Sequence, residues 1–164
     1  MNSGAVGDVT LDAQSGSITG DGTGATDVTA DVLTADASTS VDLDTEATSL
    51  DVSSGFGSDI TIDEADGLSA VDLNAGAGAD DVNLTAGGTV TDGDSSVDII
   101  ATTANVNVSG DFGATGGGDN NIDTSVGNLN VDTSAANGTQ WIDEANSLGT
   151  VSYTHLRAHE TPLH

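Results

Sequence analysis

The chain has 164 residues, the length of one domain, and a formal net charge of −26 from 27 acidic residues and a single Arg. Such a charge excludes partners that are held by Lys and Arg, namely nucleic acid and anionic lipid surfaces. There is no Cys to form a disulfide framework, and no apolar run approaches transmembrane length.

Chain order begins with Met1 and NSGAVGDVTL, which lack the basic start and apolar stretch of a signal peptide. If the parent protein is exported, its signal is expected upstream of this piece. Residues 1–150 hold 26 carboxylates and no Lys, Arg or His. Among these only Glu46, Glu64 and Glu144 are Glu; the rest are Asp. Asp and the 22 Gly are poor helix formers and good turn formers, which predicts short strands and tight turns. The low content of large apolar residues also admits a disordered acidic spacer, and only patterning argues against it.

That patterning starts at Val9-Thr10-Leu11-Asp12-Ala13 and returns at Val71–Ala75 and Val82–Ala86. Each stretch alternates apolar with polar residues, the period of a strand with one face buried. Gly-rich breaks at 76–78, 87–88 and 116–118 separate such stretches. Two apolar columns can be traced at steps of about 20 residues, the second-coil period of a solenoid. One runs Leu11, Val32, Val52, Val71, Val90, Val108, Val131; the other runs Ile18, Val41, Ile62, Val82, Ile100, Ile122, Ile142. A longer repeat overlies them. Asp44-Thr45, Leu50 and Ile62-Asp63-Glu64-Ala65 recur as Asp123-Thr124, Leu129 and Ile142-Asp143-Glu144-Ala145, at offsets of 79 and then 80. Gly7–Leu11 aligns with Asp80–Leu84 at an offset of 73.

These features predict an all-β parallel β-helix, a β-solenoid of roughly 20-residue coils, seven or eight in number, spanning residues 1–150. Its two long copies lie near 7–79 and 80–150. An antiparallel sandwich is the alternative, but such cores favour large aromatics, and residues 1–150 contain only Phe56, Phe112 and Trp141. Residues 151–164 are expected to be a non-native, disordered tail. VSYTHLRAHET, residues 151–161, resembles a translated sequencing-library adapter, and His155 and His159 are set aside with it.

The stretches DTSVGNLNVDTSAANGTQWIDEANSL (123–148) and VDLNAGAGADDVNLTAGG (71–88) resemble very large bacterial exoproteins: β-strand-repeat, filamentous-haemagglutinin-like and autotransporter-passenger adhesins. The resemblance is one of repeat style over nearly all of 1–150. It implies a right-handed parallel β-helix, export to the cell surface or medium, and a structural or adhesive role. The expected partners are a host, surface or matrix ligand and the neighbouring repeats of a parent chain.

Calcium is the one candidate ligand. Ala75–Asn83 falls one Gly short of the calcium β-roll nonapeptide, and Asp92-Gly93-Asp94-Ser95-Ser96-Val97-Asp98 spaces oxygens like the start of a helix–loop–helix calcium loop, without its Gly at the sixth place or its Glu at the twelfth. Asp80, Asp81, Asp92 and Asp94 are thus the candidate metal ligands, with a calcium-binding matrix or surface-layer module as the alternative function. No catalytic residue and no cofactor requirement is expected. Neighbouring strand residues such as Asp63 and Glu64 point to opposite faces, and no nucleophile–base set is present. Trp141 neighbours an inward-facing Ile142 and is a candidate partner contact.

Overall fold

A computed structural model describes residues 7–76, 78–114 and 120–154. Among these residues there are eleven strands and no helix. The strands are β1 (Val9–Ala13), β2 (Ile18–Thr19), β3 (Val28–Ala37), β4 (Val41–Ser53), β5 (Ile60–Glu64), β6 (Ala70–Asn74), β7 (Asp81–Ala86), β8 (Ile99–Val108), β9 (Ile122–Asp132), β10 (Ile142–Glu144) and β11 (Thr150–Thr154). Every pairing between them is parallel, along the path β1-β3-β4-β5-β7-β8-β9-β10. The result is a β-solenoid of about six turns with about 22 residues each. Coils are longer and fewer than the sequence columns suggest. Partners in paired strands lie between 17 residues apart (Val28 and Thr45) and 26 (Leu73 and Ile99), and the bridge between Phe112 and Gln140 spans 28, because loops of unequal length leave the stack between strands.

Long strands turn corners without breaking. In β3, Val28 and Ala30 face the interior, Asp31 and Val32 lie partly exposed at a corner, and Leu33, Ala35 and Ala37 face inward again. β8 repeats this burial pattern residue for residue, with its corner at Thr102 and Thr103. β4 and β9 turn at Thr48-Ser49 and Gly127-Asn128. Each corner shifts the alternation by one residue, so a simple period of two fails there.

This slip corrects the traced columns. Ile18 and Val41 do stack, as do Ile122 and Ile142. Val32 and Ile100, however, sit against Ser49 and Ser125 outside the core, and Leu33 and Ile99 take the interior places. The observed stacks are Val41-Ile60-Val82-Ala104-Leu129 and Leu43-Ile62-Leu84-Val106-Val131. Phe112 fills the interior between Val90 and Gln140, whereas Phe56 is exposed.

Polar residues stack on the outside in the same registers. Carboxylates meet directly at Asp12–Asp36, Asp44–Asp63, Asp51–Asp72 and Asp123–Asp143. Elsewhere Thr, Ser or Asn alternates with them, and Asn83, Asn105 and Asn130 form a ladder with amide bonds of 3.0 and 2.8 Å. Glycine has two roles at the coil edges. Gly57 and Gly76 adopt positive φ, as expected for turns. Gly138 does not need it; a Cβ there would sit 1.8 Å from the Gly110 carbonyl oxygen of the coil below.

The long repeat is a repeat of registers. Val28–Thr45 and Leu33–Leu50 in the first copy correspond to Ile99–Thr124 and Ala104–Leu129 in the second. β11 lies on β9 as β6 lies on β4, with Val151 in the place of Val71 and Tyr153 in that of Leu73. Residues Val151–Thr154 of the expected disordered tail are therefore strand, held by backbone pairing to β9 although their side chains are exposed. The rest of that tail, 155–164, lies outside the described residues.

Interior stacking makes a specific demand on Leu84, which is buried between Ile62 and Val106. Leu84→Ala is expected to lower unfolding free energy by about 2–5 kcal/mol, read from urea denaturation followed by circular dichroism. The same change at Val151, whose side chain is exposed, is expected to cost under about 1 kcal/mol.

Candidate functional site

The most developed polar arrangement lies where a coil leaves the stack. β5 pairs with β4 from Ile60 to Glu64, and the Ala65 amide still reaches the Thr45 carbonyl at 2.8 Å. The chain then swings outward and rejoins β4 only at Ser69, whose amide bonds the Thr48 carbonyl at 2.9 Å. That detour strips the Ala47 amide, in the interior, of a backbone acceptor. Glu64 supplies one: its carboxylate accepts the Ala47 N–H at 3.1 Å, the Thr45 hydroxyl at 2.6 Å and the Asp66 N–H at 3.4 Å. Glu64 is only 1 % exposed. Asp63, beside it, faces solvent, so the two carboxylates do not form a pair.

The second copy rebuilds this clasp. Glu144 accepts the Thr124 hydroxyl at 2.6 Å, the Val126 N–H at 3.2 Å and the Asn146 N–H at 3.2 Å. Its coil rejoins β9 through the Gly149 amide. The recurring Ile-Asp-Glu-Ala is therefore a structural device: the Ile fills the core, the Asp stays wet and the Glu closes the gap. The repeated tetrapeptide signalled it in the sequence. Thr45 and Thr124, the hydroxyl partners, carried no signal alone.

The four candidate calcium ligands are not brought together. Asp81 opens β7, and its amide bonds Asp59 Oδ1 at 2.9 Å. Asp80 is fully buried; one carboxylate oxygen accepts the Gly78 N–H at 3.1 Å and Oδ1 has no hydrogen-bond partner. Asp92 and Asp94 form successive tight turns, accepting the amides of Gly93 and Asp94 and of Ser96. Asp92 is buried while Asp94 is exposed. Among the described residues no group of three or more His, Cys, Asp or Glu is arranged to hold a metal. His155 and His159 lie outside the described residues.

Asp98 ends the loop-like stretch 92–98 but is not among the four candidate ligands. It is buried beside Asp92 and accepts the Asp123 amide at 2.6 Å. Burial pushes its carboxyl up to about 8, and the neighbouring Asp92 and Asp123 carboxylates add to this against the Asp123 N–H. Burial likewise pushes Glu64 up to about 7, although its Thr45 and Ala47 bonds favour the anion. Exposed turn carboxylates go the other way: Thr23 and Ser134 hold Asp21 and Asp132 below the ordinary range.

No family model, curated protein or solved structure matches the chain. The geometry offers two buried protonatable carboxyls, a duplicated clasp and acidic outer ranks.

Glu64 and Asp98 make stability fall with rising pH. Their folded values, about 7 and about 8, exceed ordinary values of 4.5 and 3.8. Between those limits the folded chain keeps protons that the unfolded chain releases. The stabilisation is complete below about pH 4 and is lost as pH climbs through 7 to 8, at about 1.4 kcal/mol per pH unit for each group in its window. Melting temperature is expected to drop between pH 5 and pH 8, and Glu64→Gln with Asp98→Asn to flatten that slope. An unaltered slope in the double variant would show that other acids set it.

Proposed function

We propose that this chain is a structural and adhesive repeat segment of a large exported bacterial surface protein, acting without catalysis. The observation that carries this reading is the duplicated register. Two long units share strand pairings, corners and a glutamate clasp, and the clasp glutamate of each unit, Glu64 buried and Glu144 half-buried, serves backbone closure. Repetition of this kind builds length and lateral surface, with each coil supported by its neighbours. The resemblance of residues 71–88 and 123–148 to exported adhesins supplies the location and the class of partner, a host, surface or matrix ligand.

Extending the reading frame into flanking DNA tests it. Further units of 79–80 residues in the same register, an export signal and a surface anchor are the expected finds. A frame that closes on both sides without a further unit or a signal would refute the proposal. On a panel of polysaccharides the purified chain is expected to adsorb to some members and to turn over none.

One observation favours a second reading, a calcium-dependent extracellular module: the buried Asp80 Oδ1 without a partner. Calcium prefers six to eight oxygen ligands, so backbone carbonyls would have to complete the shell. Under this reading, chelator-treated protein at low salt loses β signal in far-UV circular dichroism and regains it with Ca²⁺. Asp80→Asn abolishes the recovery. A spectrum that ignores chelator, salt and Ca²⁺ alike ends the calcium reading.

A further inference from the structure

The outer side of β5, β7, β8 and β9 departs from the acidic rule of the chain. Thr61, Asn83, Asn105 and Asn130 stack there on successive rungs without a carboxylate among them. The file beside them reads Asp63, Thr85, Asn107 and Asp132, so its middle places are neutral as well. Asn83, Asn105 and Asn130 are partly exposed, and Thr85 and Asn107 are exposed. This face lies along the side of the stack. Coils added at either end would lengthen it without covering it, and none of its residues belongs to 151–164.

The first unit supplies the control. β1, β3 and β4 hold there the places of β7, β8 and β9: Val9–Leu33 and Leu33–Leu50 correspond to Val82–Ala104 and Ala104–Leu129. One residue on, the outer file of the first unit is Thr10–Thr34–Asp51, where the second has Asn83–Asn105–Asn130. Its neighbour is Asp12–Asp36–Ser53, where the second has Thr85–Asn107–Asp132. Three carboxylates (Asp12, Asp36 and Asp51) thus give way to one, Asp132. Because the first unit closes its stack without an amide file, folding does not require one. What the amides change is the outward surface.

A primary amide carries two N–H donors and an oxygen with two acceptor sites. Asn105 gives one N–H to Asn83 and receives one from Asn130, which leaves a donor and an acceptor site for a partner. Such rungs recur about every 4.8 Å, and amides bonded in file keep that repeat whatever backbone carries them. We propose that this face binds a solid β-linked N-acetylglucosamine polymer, whose stacked chains present acetamido groups in such a file. Each acetamido N–H donates to an Asn carbonyl oxygen and each acetamido oxygen accepts an Asn N–H, while Thr85 and Asn107 take up sugar hydroxyls. Neutrality suits a neutral solid, against which a carboxylate would lose water and gain no counter-charge. No aromatic residue stands in either file, so single contacts are weak, and a solid gains by engaging all rungs at once. The inference rests on the adhesive reading and names its surface.

Retention of the full chain on fully acetylated chitin beads tests it, with cellulose beads as the matched solid without acetamido groups. The chain is expected to stay on chitin through about 1 M salt, where the screening length is about 3 Å, and to leave cellulose in the first wash. Giving the ladder the first unit's residues, Asn83→Thr with Asn105→Thr and Asn130→Asp, should keep the β spectrum, since the first unit folds with them. Retention of that variant should fall about tenfold or more. Asn107→Asp, at an exposed position, leaves the ladder in place and should lower retention several-fold by setting a carboxylate against the solid. Equal retention on both solids, release from chitin by salt, or unchanged retention in either folded variant would overturn the proposal. Adsorption to other polysaccharides but not to chitin would overturn it and leave the adhesive reading standing, whereas a chain that adsorbs to no polysaccharide would overturn both.

Discussion

Every coil of this chain leaves a row of peptide N–H and C=O groups along both of its edges, and another coil in parallel register is what satisfies them. Side-chain pattern follows from that constraint. Once a strand is laid on its neighbour, Ile62 must meet Leu84 and Asp44 must meet Asp63. Apolar residues close the interior only because each keeps step with the residue one coil away. The same step brings carboxylates into contact, and Thr and Asn interrupt most of those ranks, as at Thr85 and Asn107 between Asp63 and Asp132.

The chain is acidic on its surface and also carries acids within. Glu64 and Asp98 are enclosed and bias toward their protonated forms, and both lie where a coil departs from the regular stack. Placing an ionisable group there is costly, but leaving a buried amide such as that of Ala47 without an acceptor is also costly. The clasp resolves one defect with another polar group, and the resolution occurs once per long unit.

Much of the architecture was legible in the sequence. Alternation at Val9–Ala13 and Val82–Ala86 marked strands, and the Ile-Asp-Glu-Ala repeat marked the duplicated unit. The corners were not legible. At Asp31-Val32 an apolar residue falls outside, since the backbone turns and the face reverses, and nothing local to Val32 distinguishes it from Leu33. Coil length was underestimated for a related reason: insertions such as 91–98 add residues without adding a rung. Candidate sites fared less evenly. Asp80 and Asp92 are buried, as ligands would be, yet Asp81 opens a strand with its amide bonded to Asp59, and Asp94 serves an exposed turn. Asp98 ended the loop-like stretch 92–98 without being a candidate ligand, because its burial depends on the outward path of 93–97, which spacing does not encode.

The Asn83–Asn105–Asn130 ladder has a direction. Each amide nitrogen points back to the oxygen of the preceding Asn, so the side-chain dipoles align head to tail along the axis of the solenoid. Aligned amides polarise one another, which makes an inner rung more tightly held than either terminal one. The solenoid axis thereby acquires an electrical sense as well as a chain sense, and a guest amide meets an acceptor at one end of this rail and a donor at the other.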